Sequence, residues 1–211
     1  MIEFDCPQCR GHFSVDDNLA GRRARCKKCG TPLTIPSPQL LAALQAPPAN
    51  RQPRLPPRLR RLQADAEQMR DAFANFPLIK VRSMTGEPPD EYEIEYFVRG
   101  LERLADLKDP VERSYHTVQI KLTGDYPRMS PQCKMVTPIF HPNIEPGTIC
   151  VGDHWTAGER LVDLVVRIGE MIAYQAYNIK SPLDGEAAMW ADLHVGDLPV
   201  DERNLRPPEL D

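Results

Sequence analysis

The stretch PIFHPNIEPGTICVGDHW, residues 138–155, carries a single cysteine, Cys150, among turn-forming residues. Proline, glycine and asparagine at this density predict irregular backbone rather than a regular helix or strand. A cysteine in such a segment is open to three interpretations: a packed core thiol, a metal ligand or a nucleophile. The rest of the chain helps to decide, because four of the other five cysteines form a pattern of their own.

Composition and charge limit the class of protein. Of the 211 residues 41% are hydrophobic, which is enough for one ordinary domain with an appendage. A net charge of -4 gives no overall case for nucleic-acid binding. No apolar run approaches the roughly 20 residues of a membrane span, and the start MIEFDCPQCRG does not have the layout of a signal peptide. We expect a cytoplasmic protein without membrane contact, whose cysteines are reduced thiols.

The four clustered cysteines form two C-x2-C pairs on either side of residues 10–25. Two such pairs supply four thiolates for a tetrahedral site with Zn–S bonds of ~2.3 Å. Gly11 and Gly30 suit the tight turns that follow the pairs. The alternative, two disulfides, is disfavoured by a reducing compartment. The pattern predicts a zinc ribbon over residues 1–36 with one structural Zn²⁺ on Cys6, Cys9, Cys26 and Cys29.

The basic run GRRARCKK, residues 21–28, leaves the role of the ribbon open. Its five cations are compatible with a nucleic-acid patch. No aromatic residues are interleaved with them, and four thiolates on one Zn²⁺ carry a formal charge of about −2. Protein docking or support of folding is therefore favoured over nucleic-acid binding. His12 is interpreted as a surface residue, because four sulfurs already close the site.

A proline-rich linker, residues 37–54, separates the ribbon from a predicted helix. In RLRRLQADAEQMRDAFANF, residues 58–76, apolar residues recur at steps of three and four. Arg58, Arg60 and Arg61 begin the outer face, and composition alone favours a solvated helix end. The predicted buried face consists of Leu59, Leu62, Ala66, Met69, Phe73 and Phe76.

Alternating segments then predict an antiparallel sheet, and Cys133 within the last of them is interpreted as a small core residue. The four segments are LIKVRSM (78–84), EYEIEYFV (91–98), YHTVQIKL (115–122) and QCKMVT (132–137).

Two helices are predicted after Cys150. Residues 159–177, ERLVDLVVRIGEMIAYQAY, have a strongly apolar face that backs onto the sheet, with Arg167 among the charged residues at other positions. Residues 181–194 predict a turn and a short helix capped by Asp184. The acidic, proline-rich residues 195–211 predict a flexible tail. The fold class is therefore α+β.

An ordered set of motifs in residues 55–194 resembles the core of the ubiquitin-conjugating enzyme family. The resemblance implies an N-terminal helix, a four-stranded antiparallel sheet, an active-site loop and C-terminal helices, and it does not include the ribbon. The motifs are Tyr126-Pro127 with Pro131, His141-Pro142-Asn143, Gly147-Thr148-Ile149-Cys150, Trp155, and Pro182-Leu183-Asp184-Gly185-Glu186-Ala187-Ala188.

The resemblance implies thioester chemistry at Cys150. Its thiolate accepts the C-terminal acyl group of a ubiquitin-like protein from an activating enzyme, and the group then passes to an amine, usually a lysine. A cysteine pKa of ~8.5 leaves a few per cent thiolate at neutral pH, so no strong base is required. His154 stays open as a base, although a surface imidazole is favoured.

Other residues acquire expected roles from the same resemblance. Asn143 can donate to the oxyanion, or it can close the turn by bonding to the backbone, and the two roles are compatible. His141 holds the turn, and Ser181 orients or desolvates the incoming lysine. The docking of an activating enzyme becomes a second interpretation of Arg58, Arg60 and Arg61.

The chain departs from the family pattern in ways that predict a compact, divergent enzyme. The segments from Asn143 to Cys150 and from Cys150 to Trp155 are shorter than is usual, and Lys180 stands where acidic residues are common. An added ribbon fits bacterial ubiquitin-like pathways better than eukaryotic ones. Expected partners are an activating enzyme, a ubiquitin-like protein, and a target protein with or without a ligase. The alternative function is a zinc-ribbon adaptor that binds nucleic acid or protein and carries a non-catalytic domain of this fold.

Overall fold

The computed structural model of this protein divides into two compact units, Met1–Arg54 and Leu55–Asp211. No helix in the described part of either unit has the length and apolar character that crossing a membrane requires. The predicted linker, residues 37–54, lies outside the described part except at its first residue. The structure describes residues 1–37, 55–145, 147–151 and 155–208.

The first unit contains two small antiparallel hairpins. β1 (Ile2–Asp5) pairs with β2 (His12–Val15), and β3 (Arg23–Arg25) pairs with β4 (Pro32–Thr34). The loop of each hairpin carries one C-x2-C pair, which brings the two pairs together at one end of the unit. The buried apolar residues of this unit are Ile2, Cys6, Cys26 and Ile35.

The two cysteine loops have the same backbone design. The Arg10 N–H donates to Cys6 O at 2.9 Å, and the Gly30 N–H donates to Cys26 O at 2.8 Å. Arg10 and Gly30 both take a positive φ, 52° and 74° respectively. Gly11 takes part in the first loop, where its carbonyl oxygen accepts from the Cys6 N–H at 3.0 Å, but it is not the residue with the positive φ. The left-handed position belongs to Arg10, where a side chain is tolerated at a modest cost.

The second unit begins with α1 (Pro57–Phe73). Pro57 stands in the first turn, where a missing N–H leaves no hydrogen bond unmade. The predicted apolar face is buried at its centre, while Leu59 and Phe76 pack at its edge. The buried apolar residues within α1 are Leu62, Ala66, Met69, Ala72 and Phe73.

The predicted four-stranded antiparallel sheet follows, and it consists of β5 (Ile79–Gly86), β6 (Pro89–Tyr96), β9 (His116–Lys121) and β10 (Gln132–Met135). Its spatial order is β10-β9-β6-β5. Alternate residues of the two central strands face the helices and form the main core, because side chains on a strand alternate between the two faces of the sheet. These are Tyr92, Ile94, Tyr96, Val118 and Ile120.

Two helices complete the unit, α2 (Leu161–Ile172) and α3 (Gly185–Leu193). α2 buries its apolar face on the sheet, where the Tyr96 hydroxyl donates to Val165 O at 3.0 Å. The sequence predicted helix up to residue 177, but the chain leaves α2 at Ala173. Tyr174 takes a φ of 57°, and its buried hydroxyl donates to Phe140 O at 2.6 Å. This tertiary contact ends the helix.

The structure adds two small hairpins that the sequence did not predict. β7 (Gly100–Glu102) pairs with β8 (Val111–Arg113), and β11 (Ile144–Glu145) pairs with β12 (Thr148–Ile149). These strands have two or three residues each, which is too short for an alternating pattern to be recognised. The β11–β12 hairpin matters for function because it leads directly into Cys150.

The prediction of a flexible tail over residues 195–211 is wrong for its described part, residues 195–208. Leu205 is buried against Gly169, at which an added Cβ would lie 3.2 Å from Leu205 Cδ1. Asp201 is buried and accepts a hydrogen bond from the Arg99 N–H at 3.2 Å, and Arg203 donates to Phe97 O at 2.9 Å. One leucine and one ion-paired turn therefore hold the segment on the domain.

Candidate active site

The turn His141-Pro142-Asn143 lies between β10 and β11, and the Asn143 side chain forms hydrogen bonds with backbone groups of the segment that follows α2. Its Nδ2 donates to Asn178 O at 2.8 Å and, at a longer 3.4 Å, to Ser181 O. Its Oδ1 accepts from the Asn178 N–H at 2.7 Å. These bonds tie the turn to the segment that follows α2. Asn143 therefore anchors the turn to a segment that is far away in the sequence.

His141 is fully buried beneath the same turn. Its Nδ1 accepts a hydrogen bond from the Asn143 N–H at 3.0 Å, and its ring packs on Tyr174 with the ring centres 4.7 Å apart. Burial lowers the pKa of His141 to about 3. The imidazole is consequently neutral at physiological pH, with Nδ1 free of a proton to accept the hydrogen bond from the Asn143 N–H.

Cys150 follows β12 directly and is half-buried. Its N–H donates to Asn143 O at 3.1 Å, so the turn fixes the backbone from which the thiol projects. The residue borders two depressions, one of about 650 Å³ along β10 and one of about 230 Å³ beside Asn143. A thiol at the junction of two depressions is accessible to one group from each side. His154, which the sequence left open as a base, lies outside the described residues.

The segment around Ser181 is held against the turn by Pro142. The Leu183 and Asp184 N–H groups donate to Pro142 O at 2.8 and 3.1 Å. Asp184 also caps α3, with its Oδ1 accepting from the N–H groups of residues 186 and 187. Ser181 is exposed and borders the smaller cavity together with Cys150. The structure thus brings Ser181, Asn143 and Cys150 to one cavity.

The three arginines at the start of α1 differ in their surroundings. Arg58 donates to Leu122 O and Thr123 O, each at 3.1 Å through Nη2. Arg60 is exposed. Arg58 and Arg61 form hydrogen bonds inside the domain, and only Arg60 of the three is exposed. The three arginines therefore do not contribute equally to an exposed partner-binding surface.

Arg61 is part of a buried network. Its guanidinium chelates the Asp65 carboxylate at 2.8 and 3.0 Å, and Asp65 is only 2% exposed. The same guanidinium donates to the Tyr126 hydroxyl at 3.0 Å and to the carbonyls of Ala157 and Glu159. Arg61 therefore joins α1 to the segment that precedes α2.

Cys133 and the two tryptophans have packing roles. Cys133 is buried in β10, and burial raises the pKa of its thiol to about 12, which makes it a poor nucleophile at neutral pH. Trp155 donates from Nε1 to Pro127 O at 2.9 Å and packs on Tyr126. Trp190 packs edge-on against Phe140.

The four ribbon cysteines form a site that can hold a metal ion. Their sulfur atoms all lie within 4.8 Å of one another. The Sγ–Sγ distances are 3.8 Å for Cys6 and Cys29 and 3.7 Å for Cys9 and Cys26. Four sulfurs at ~2.3 Å from a common centre in tetrahedral geometry are about 3.8 Å apart, so the spacing fits a metal site. It is too long for disulfides, in which the sulfurs are ~2.05 Å apart.

Two features of the site were not predicted from the sequence. Asn178 provides two of the three backbone partners of the Asn143 side chain, and Arg167 of α2 borders the cavity shared with Cys150. Asn178 has no local motif that identifies it. The sequence placed Arg167 among the charged residues off the apolar face of its helix, yet its side chain is only 25% exposed.

Comparison with known proteins finds a similarity that includes these residues. The profile of the ubiquitin-conjugating enzyme family matches residues 106–193. SUMO-conjugating enzyme UBC9 of Caenorhabditis elegans is 29% identical over 87 residues, which cover 38% of this chain and 51% of that protein. The chain therefore spans about half the length of this relative.

Solved structures with a similar chain path include one from Plasmodium yoelii and one from Toxoplasma gondii. A protein of Plasmodium yoelii described as a candidate ubiquitin-conjugating enzyme has a TM-score of 0.49 and 23% identity, covering 69% of this chain and 92% of its own. A ubiquitin-conjugating enzyme E2 domain of Toxoplasma gondii has a TM-score of 0.44 and 24% identity, covering 66% and 87%. The profile match includes His141, Asn143, Cys150 and Ser181, so residues 106–193 are similar to the ubiquitin-conjugating enzyme family over the segment that contains the candidate site.

Proposed function

We propose that the protein is a conjugating enzyme for a ubiquitin-like protein, with Cys150 as the acyl-carrying nucleophile. The observation that carries this proposal is the position of Cys150, half-buried between two depressions and fixed by Asn143 O. The other described cysteines lie either in the ribbon cluster or, for Cys133, in the core.

The proposed reaction has two transfers. The Cys150 thiolate attacks the thioester carbonyl on the activating enzyme, and the thiolate of that enzyme leaves, so one thioester replaces another. An amine nitrogen of the target then attacks the new thioester. The Cys150 thiolate leaves, an amide bond forms, and the proton of the amine passes to solvent or a nearby base. Sulfur suits both steps because it attacks well and leaves readily.

The residues around Cys150 have distinct proposed roles. Asn143 Nδ2 is the proposed oxyanion donor, and its long 3.4 Å bond to Ser181 O is the one that is exchanged for the oxyanion. Ser181 borders the cavity from which an amine can approach, which supports a positioning role. His141 holds the turn as a neutral imidazole.

The proposed partners follow from this chemistry: an activating enzyme, a ubiquitin-like protein, and a target with or without a ligase. Arg60 is the one member of the arginine cluster that is exposed, so it is the proposed contact to the activating enzyme. Assignment to a bacterial pathway stays a prediction, and neighbouring genes for an activating enzyme and a small ubiquitin-like protein would support it.

We further propose that the ion of the ribbon is Zn²⁺ in a structural role. Four cysteine ligands close a tetrahedral site and leave no open position for catalysis. The residues that hold it are Cys6, Cys9, Cys26 and Cys29, and the thiolates of both loops are needed to fix the two hairpins to one another.

The test is a loading reaction with the activating enzyme, ATP and the ubiquitin-like protein. We expect an adduct on a non-reducing gel that a reducing agent removes, in the wild type and in Cys133→Ala, but not in Cys150→Ala. The same adduct in Cys150→Ala would contradict the proposal. Absence of any adduct, together with binding of nucleic acid to the ribbon, would favour the adaptor function instead.

A further inference from the structure

The basic residues of the ribbon differ from those of the second unit in having no acidic partner. In the second unit most of the described arginines form ion pairs, among them Arg61, Arg82 and Arg113. In the β3–β4 hairpin five exposed cations form no ion pair with any residue that the structure describes. These cations are Arg22, Arg23, Arg25, Lys27 and Lys28.

The sequence around this hairpin contains no acidic residue either. No Asp or Glu occurs between Asp17 and Asp65, a stretch that includes the whole hairpin and the linker, residues 37–54. The chain as a whole nevertheless carries a net charge of -4, so its acidic residues are concentrated in other segments. A cluster of unpaired cations creates a positive potential that attracts a negatively charged partner.

β3 also has an open edge, because it pairs with β4 and with no second strand in the described part of the chain. The Cys26 N–H donates to Thr31 O at 2.8 Å, which fixes the alternation of the antiparallel ladder. The backbone groups of the even-numbered residues therefore face β4, and those of Arg23 and Arg25 face away from it. Pro32, which lies opposite Arg25, has no N–H to donate, in agreement with this register.

The open edge presents two N–H donors and two C=O acceptors, with the exposed side chains of Arg23 and Arg25 on one face of the strand. An extended peptide matches both kinds of backbone group, since each of its residues carries one donor and one acceptor. The phosphates of a nucleic acid are acceptors only and would leave the two carbonyl groups unmatched. The hairpin also has no aromatic residue on which a base could stack.

We propose that the β3 edge binds an extended acidic segment of a partner protein by strand addition, with carboxylates of the segment paired to Arg23 and Arg25. Acidic residues two positions apart on the added strand match the spacing of the two guanidinium groups. The same two arginines repel another β3 edge, because like charges face each other when such edges pair. The ribbon is thus a protein-docking module, and this role does not depend on the chemistry of Cys150.

The test measures binding of a fluorescein-labelled peptide of six Glu-Thr repeats to the full-length protein by fluorescence anisotropy. Physiological salt is used, because it screens surface charges that are more than ~8 Å apart. We expect saturable binding, equal in the wild type and in Cys150→Ala. The arginine double variant, Arg23→Gln with Arg25→Gln, should bind on the order of 10-fold more weakly, since each exposed ion pair contributes up to roughly fivefold.

Two matched controls separate strand addition from general electrostatic attraction. The lysine double variant, Lys27→Gln with Lys28→Gln, removes the same charge from the cysteine loop instead of the open edge, and should weaken binding by about twofold at most. The same peptide methylated at its backbone nitrogens keeps its carboxylates but has no N–H to donate. We expect it to bind on the order of 10-fold more weakly. Equal metal content of the variants and the wild type shows that the ribbon is intact.

Five results would overturn the inference. The first three are no saturable binding of the peptide up to about 1 mM, equal binding of the methylated peptide, and an equal loss in the lysine double variant. The fourth is a twelve-nucleotide oligo-dT that binds more tightly than the peptide and loses affinity in the arginine double variant, because the edge would then bind phosphate. The fifth is self-association of the full chain that the arginine double variant abolishes, which would assign the edge to a second copy. None of these results changes the expected loading of Cys150.

Discussion

The side chain of Asn143 and the backbone of Asn178 bind each other in both directions, with Nδ2 donating to Asn178 O at 2.8 Å and Oδ1 accepting from the Asn178 N–H at 2.7 Å. This pair joins the turn before Cys150 to the segment after α2. It means that the shape of the cavity beside Cys150 and the orientation of the Asn143 amide depend on the same two bonds.

Variants of Asn143 separate the donor role from the turn-closing role. Asn143→Ala loses both bonds, while Asn143→Asp keeps an acceptor for the Asn178 N–H but has no amide proton. We expect both variants to discharge a loaded thioester to lysine on the order of 10²-fold more slowly, since neither can donate to an oxyanion. Rates are measured under single-turnover conditions. Discharge by Asn143→Asp at the wild-type rate would remove the donor role.

Arg60 and Arg61 are neighbours with opposite expected behaviour. Arg61→Ala leaves the buried Asp65 carboxylate without its ion-pair partner, so we expect a loss of about 3–5 kcal/mol in the free energy of unfolding. Arg60→Ala changes an exposed side chain and should stay within about 0.5 kcal/mol of the wild type. Urea unfolding measures both. If the two variants were equally stable, the ion pair between Arg61 and Asp65 would not stabilise the fold as we expect.

The proposed contact of Arg60 with the activating enzyme has its own readout. We expect Arg60→Glu to raise the KM for loading while leaving single-turnover discharge unchanged, because Arg60 lies on α1 and not in either depression beside Cys150. An unchanged KM would contradict the proposed contact between Arg60 and the activating enzyme.

Two buried histidines predict a specific pH dependence of stability. Burial lowers the pKa of His116 to about 4 and that of His141 to about 3, whereas an unfolded histidine titrates near ~6.5. Between these values the unfolded chain binds more protons than the folded one. The free energy of unfolding should therefore fall as the pH drops from ~6.5 toward ~4, by up to about 1.4 kcal/mol per unit for each histidine.

Tryptophan fluorescence can follow this effect in the second unit alone, because both tryptophans, Trp155 and Trp190, belong to it. We expect urea unfolding at pH 5 to give a lower stability than at pH 7.5, and His116→Gln to reduce the difference. Equal stability of the wild type at the two pH values would contradict the conclusion that His116 and His141 are buried in the neutral state.

The ribbon predicts one zinc ion per chain. Removal of one ligand in Cys9→Ser should abolish stoichiometric zinc after dialysis, whereas Cys133→Ser should retain it. Thiolate ligands must lose a proton to bind, so zinc affinity should fall as the pH falls. Metal analysis of the purified proteins checks both points. A wild-type protein without zinc, or full zinc in Cys9→Ser, would contradict the assignment.

The residues near Cys150 could be predicted where local sequence determines their environment. His141, Asn143 and Cys150 occur in short motifs rich in turn-forming residues, and the apolar stripes of the helices follow a fixed period. Asn178 and Arg167 could not be found in this way, because their relation to Cys150 depends on how α2 ends and where it packs. Arg167 has the same charge as residues that face solvent, and only the packed structure distinguishes it.

The arginines and the tail illustrate the same limit. Arg58, Arg60 and Arg61 look equivalent as charges at a helix start, yet two of them find acceptors that lie far away in the sequence. Leu205 is one of a few scattered apolar residues in a polar, proline-rich segment, and its burial depends on the space that Gly169 leaves on α2. Composition predicts whether segments of this kind are flexible on average, whereas a single buried contact can determine whether a given segment packs on the domain.

The most direct test of the central claim is to locate the acyl group after loading. Intact-mass measurement of the loaded wild-type protein should show the mass of one ubiquitin-like protein less one water, and peptide mapping should place it on Cys150. Treatment with a thiol should return the original mass, and Cys150→Ser should form an ester that resists the thiol. An acyl group found on Cys133, on a ribbon cysteine or on a lysine, with Cys150 unmodified, would contradict the account.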